Sequence, residues 1–141
     1  AIGSVDVNAR DVDGKTALMF AAGFGKPESV IALLDAGADV NAWEDKFRRT
    51  ALMFAAEFGA PESVIALLDA GADVNAQGEF SETALMFAAR SGKPENVAAL
   101  LDAGADGSPR AFGSTAFDYA KENDKLKGTD AYWRLNDARF K

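Results

Sequence analysis

Aspartates recur through this chain at regular intervals, at Asp39, Asp73 and Asp106. Carboxylates gathered in one place can act as general acid and base or hold hard cations. These three each follow the same Gly-Ala pair, one per period, which points instead to side chains that close turns on local backbone amides. A calcium loop needs oxygens at alternate positions and a closing Glu, and Asp11, Asp13 and Gly14 supply only a fragment of one. Gly113-Ser114-Thr115 has no partner base, so a nucleophile elbow is not supported. The 141 residues include no His and no Cys. The commonest general base, the commonest metal ligand, thiolate zinc sites and disulfides are therefore missing. The glycines lie in turns rather than in a phosphate-cradling array. The expectation is a chain with no catalytic residues, no cofactor and no metal.

The elements carrying these residues are internal repeats. Thr-Ala-Leu-Met-Phe-Ala-Ala occurs at 16–22, 50–56 and 83–89. A second block, Pro-Glu-Ser-Val-Ile-Ala-Leu-Leu-Asp-Ala-Gly-Ala-Asp-Val-Asn-Ala, fills 27–42, recurs unchanged at 61–76, and returns in looser form at 94–106. Each period reads as two short helices and a loop. Thr16, Thr50 and Thr83 are placed to cap helix A, which Gly25, Gly59 and Gly92 end. Pro27, Pro61 and Pro94 open helix B, each followed by a Glu at the positive end of the helix dipole. Val30, Leu33 and Leu34 form one apolar stripe before Gly37 closes the helix, a role that passes to Gly71 and Gly104. Helices this short are marginal alone, so neighbouring units must stack and share a core. The predicted fold is all-α, a solenoid of stacked helix-turn-helix units with extended loops. Residues 1–10 form the tail of a preceding repeat, followed by repeats at 11–43, 44–77 and 78–110 and a C-terminal capping repeat at 111–141.

Composition narrows the partners. The 22 acidic and 15 basic residues leave a net charge of -7, which repels nucleic-acid phosphates and anionic lipid. No apolar run approaches the length of a membrane span, and Ala1 to Asn8 lacks the basic and apolar regions of a signal peptide. Absence of Cys suits a reducing cytosol and a periplasm equally.

The pattern Gly14-Lys-Thr-Ala-Leu-Met-Phe-Ala-Ala, Gly25-Lys-Pro-Glu, Leu33-Leu34 and Gly37-Ala-Asp-Val-Asn-Ala resembles the ankyrin repeat, in a bacterial-like or consensus-like form. The resemblance implies a protein-binding module with a concave side lined by loops and helix A, acting as inhibitor or adaptor. The family's usual Thr-Pro-Leu-His reads Thr-Ala-Leu-Met here, so Met19, Met53 and Met86 are expected to substitute apolar packing for imidazole hydrogen bonds. With no imidazole, stability should vary little between about pH 6 and 8. Gly113 to Ala120 echoes helix A, and Thr129 to Phe140 resembles a final helix B. Ala1 to Val5 corresponds to the tail of an absent helix B, and an uncapped first repeat would favour self-association of an otherwise monomeric chain. The alternative is a structural or spacer fragment of a larger multi-repeat or enzymatic protein.

Where stacking fixes the repeated positions, recognition should fall on those that vary. Loop tips and the ends of helix A are the variable places, and the second loop carries one extra residue. Carried over from the ankyrin pattern, Phe24, Trp43, Phe47, Phe58 and Phe80 should line the concave side, flanked by Arg48, Arg49, Arg90 and Arg110. Aromatic and Arg side chains are enriched in interface hot spots. The Met and Phe of the constant motif repeat unchanged and should be core.

Overall fold

The computed structural model describes residues 6–140. Within them lie four pairs of helices: α1 (Ala17–Phe24) and α2 (Pro27–Asp35), α3 (Ala51–Phe58) and α4 (Pro61–Asp69), α5 (Ala84–Ser91) and α6 (Pro94–Asp102), and α7 (Ala116–Lys121) and α8 (Asp130–Ala138). The first helices of each pair stack in one row and the second helices in another, so each pair buries its apolar side against the next. The expectation for Ala1 to Val5 falls outside the described residues.

Local chemistry sets each boundary. The hydroxyls of Thr16, Thr50, Thr83 and Thr115 accept from the amide three residues on at 3.3–3.4 Å, satisfying one of the free amides of each first turn. Pro27, Pro61 and Pro94 occupy first helical positions, where their missing N–H costs nothing. Gly37, Gly71 and Gly104, with φ of 93–96°, turn the chain out of helix B through a left-handed conformation that other residues adopt only with strain. Gly25 and Gly59 differ from a left-handed helix stop: their φ values are -97° and -90°, and only Gly92 of this set is left-handed, at 72°. A Cβ on Gly59 would stand 2.4 Å from the Ala22 carbonyl oxygen, so this position is glycine because two repeats meet there.

The core runs unbroken along the stack. Leu18, Leu52 and Leu85 of the first row and Val30, Val64 and Val97 of the second are buried, as are Met19, Met53 and Met86. Burying each such side chain contributes about 1.5–3 kcal/mol. The methionines thus pack where the family pattern has His, and the Met19 sulfur also accepts from the Thr16 amide at 3.5 Å. The constant-motif phenylalanines are not uniform. Phe54 and Phe87 are buried, but Phe20 is 46% exposed, a correction to its expected place in the core. Among the described helices α1 has a row neighbour on one side only, α3, so identical sequence meets less cover.

Polar side chains tie the repeats at their loops. Asp39, Asp73 and Asp106 accept from amides two residues ahead at 2.9–3.0 Å, closing turns as expected. Asn8, Asn41 and Asn75 reach across instead. Each accepts from the amide of the next loop's Asp at 2.7–2.8 Å and donates to that loop's Gly carbonyl at 3.2–3.5 Å. A hydrogen bond contributes about 0.5–1.5 kcal/mol net, so Asn41→Ala should destabilise the fold by about 1–2 kcal/mol. Urea unfolding checks it: the midpoint should fall with an unchanged slope, and an unshifted midpoint would remove the ladder's role. Asn96, buried where α4 has Ser63, donates to the carbonyls of Ala55, Ala56 and Gly59 and so caps the end of α3.

The fourth pair carries the one described group whose pKa is clearly shifted. Asp118 stands where the earlier repeats have Met, and its carboxylate accepts from the Thr115 amide at 2.9 Å while Lys121 lies 3.2 Å away. The Thr115 amide, with help from Lys121 and against partial desolvation, holds the carboxyl below its ordinary pKa of 3.8. A depressed folded value means that Asp118 contributes its full stabilisation above about 4 and loses it as pH falls through the lower folded value. Thermal stability should therefore stay level from about pH 6 to 8, and Asp118→Asn should reduce the loss seen on acidification below about pH 4. An identical acid limb in wild type and variant would contradict this.

Candidate functional site

Ahead of each helix pair the chain projects a short finger closed by a backbone hydrogen bond. In the second, Trp43 and Thr50 form an antiparallel bridge, and Glu44 donates its amide to the Arg49 carbonyl at 3.0 Å. Glu44 is fully buried, and its carboxylate accepts from the amides of Phe47 and Arg49. That one side chain holds the bend while Arg48 at the tip takes φ of 56°. The equivalent tip positions are Gly14 at 79°, Ser81 at 70° and Gly113 at 81°. Left-handed backbone at a residue with a Cβ costs on the order of 1 kcal/mol, and such strain tends to persist where function requires it. The fingers also join edge to edge: the Asp45 amide donates to the Asp13 carbonyl and the Glu79 amide to the Phe47 carbonyl, both at 2.9 Å.

This framework sorts the nine predicted residues into separate groups. Phe47 and Phe80 sit on neighbouring fingers with ring centres 6.3 Å apart, and Phe112 extends the line at 5.4 Å from Phe80. Phe80 is 46% and Phe112 74% exposed, whereas Phe47 is half-buried. Phe24 and Phe58 stack on each other at 5.2 Å at the far ends of α1 and α3. Trp43, half exposed, lies under the Arg48 guanidinium at 5.5 Å, while Arg49 covers Phe47 and Phe54. The left-handed turn at Arg48 separates the two guanidiniums, one over Trp43 and the other over Phe54.

The arginines divide likewise. Arg49, 22% exposed, stacks over Phe54 at 4.6 Å and reaches Glu44 at 4.0 Å, which makes it part of the finger's support. Arg90 spans Phe87 and Tyr119 and pairs with Glu57 at 3.8 Å. Arg110 donates to the Gly113 carbonyl at 2.8 Å, yet its side chain stays 64% exposed. Arg48 and Arg110 are the two placed most openly. Phe112 is absent from the sequence-based set, although a signal existed: it precedes Thr115 by three residues, as Phe47 precedes Thr50 and Phe80 precedes Thr83. Glu44 was missed as well, because nothing in sequence distinguishes a buried acid from a solvated one in a polar loop.

Comparison with known families agrees with the stacked pairs and projecting fingers. A model of ankyrin repeats in three copies matches residues 2–78, and a second, of ankyrin repeats in many copies, matches residues 67–120. The chain belongs to the ankyrin-repeat family. A search of curated proteins finds no match. Ankyrin repeats are generally protein–protein interaction modules and are typically non-catalytic. No group of three or more acidic, His or Cys side chains among the described ankyrin residues is arranged to hold a metal ion. None of the described helices is long and apolar enough to cross a membrane.

Proposed function

We propose that this ankyrin chain binds a folded protein partner through its finger tips and the ends of its first-row helices, as an inhibitor or adaptor. The supporting observation is the line of Phe47, Phe80 and Phe112 on three consecutive fingers, the last two exposed. Rings on water-facing tips add little to the fold, and each one fully covered by a partner contributes about 1.5–3 kcal/mol. Trp43 under Arg48 and the Phe24–Phe58 stack at the far helix ends supply further exposed rings, and Arg48 and Arg110 further exposed cations. A surface of aromatic anchors ringed by Arg has the makeup of a binding hot spot.

The test is affinity capture from source-cell lysate, quantified by mass spectrometry, with wild type against a Trp43→Ala, Phe80→Ala, Phe112→Ala variant. One or more proteins should be retained by wild type and depleted at least about tenfold by the variant, with the melting curve displaced by no more than a few degrees. Equal retention by both would refute this placement of the site.

A further inference from the structure

The second-row helices present another face, away from the fingers. Glu28, Ile31 and Asp35 on α2 and Glu62, Ile65 and Asp69 on α4 are all exposed, in the same i, i+3, i+7 register. On α6 the pattern continues as Glu95, a half-buried Ala98 and Asp102. Ile31 and Ile65 are each 47% exposed. They border two neighbouring apolar grooves, one between α2 and α4 beside Leu34 and Ala66, the other of about 520 Å³ between α4 and α6 beside Leu68 and Ala99.

The acids at the ends of these helices are placed against their own fold. Asp35, Asp69 and Asp102 close α2, α4 and α6, where the backbone dipole is negative and no basic residue occupies the last turn. A carboxylate there is unfavourable, and the arrangement occurs three times. At Asp102 the chain supplies the missing cation itself, since Arg134 of α8 donates to it at 2.7 Å. Among the described residues no such pair forms at Asp35 or Asp69. The grooves are therefore apolar along their floors and acidic where the helices end, with Glu95 at the opposite end of the second.

We infer that this face is a second docking surface, and that its occupant is a cationic amphipathic helix of a partner protein. Packed helices lie about 8–10 Å apart, so the two grooves repeat at that spacing. Residues seven apart on a crossing helix are separated by about 10.5 Å. Apolar side chains at i and i+7 would then enter consecutive grooves, with Lys or Arg beside them meeting Asp35 and Asp69 as Arg134 meets Asp102.

The probe is a fluorescein-labelled peptide of about 18 residues with Leu at i, i+3 and i+7 and Arg on the flanks of that stripe. Its partners in the experiment are a scrambled peptide of identical composition and a Glu-for-Arg analogue. Fluorescence anisotropy should show the helical peptide binding wild type at least about tenfold tighter than either control. Asp35→Asn with Asp69→Asn, and separately Ile31→Ser with Ile65→Ser, should each weaken it about tenfold; both pairs are exposed, and far-UV circular dichroism like that of wild type verifies the fold. The finger variant Trp43→Ala, Phe80→Ala, Phe112→Ala should bind it as wild type does, which separates this surface from the one proposed above. Equal binding of the scrambled peptide, or indifference to both double substitutions, overturns the inference. So does a sedimenting dimer abolished by the Ile pair, because the occupant would then be a second copy of this chain.

Discussion

Gly59→Ala is expected to lower the melting temperature by about 10 °C, corresponding to about 3 kcal/mol, although its backbone angles suit any residue. With φ of -90°, conformational strain is not the issue. The added methyl would meet the Ala22 carbonyl oxygen at 2.4 Å and the Ala55 carbonyl oxygen at 2.9 Å, both backbone atoms that no rotamer change can move. Relief requires α3 to back away from α1, and in a stacked array the interface between neighbours is the main source of stability. Gly25→Ala is the control. The nearest atoms to its Cβ, at 3.0 Å, belong to Ala21 of its own helix, so the loss should be about 1 kcal/mol. Differential scanning calorimetry of both variants checks the pair, and a Gly59→Ala melt within about 2 °C of wild type would show that the repeats slip apart at little cost.

Glu44→Ala should disable the second finger while leaving the helices in place. The buried carboxylate accepts from the Phe47 and Arg49 amides and faces the Arg49 guanidinium. Its removal leaves two amides without acceptors and Arg49 without its carboxylate, a local cost of about 2–3 kcal/mol. It also releases the Arg48 tip from its left-handed angle. Phe47 and Trp43 would then lose their fixed positions, and capture of the finger-bound partner should fall at least about tenfold. Far-UV circular dichroism should stay near wild type, and the Trp43 emission should change. Glu44→Gln keeps an acceptor oxygen for both amides and should recover most of the capture. If Glu44→Ala retained full capture, the second finger would not contribute to the proposed site.

Much of this molecule is legible in one sequence because the unit is small and repeated. Threonine caps, proline starts and glycine stops each act within a few residues, and their recurrence at 33- and 34-residue spacing leaves little doubt about the register. The same locality explains the turn role of Asp39, Asp73 and Asp106. Their Asn neighbours were less transparent, since Asn41 finds its partners about 30 residues away, in the next loop.

The proposed surface was legible only in outline. Variation between repeats marked the fingers, but a list of aromatic residues does not say which share a face. The left-handed turn at the tip sends Arg48 to Trp43 and Arg49 to Phe54, and that depends on where the bend falls. Identical letters also received different surroundings: Phe20 is 46% exposed and Phe54 5%. Position in the stack decides this, because burial belongs to the neighbours a side chain meets. Sequence by itself determined the helices, their caps and the repeat, all of which arise from contacts along a few turns of chain. The tertiary structure decided which glycine is closely pressed, which acid is buried and which rings form a line, since each is set by distances between segments that lie a whole repeat apart.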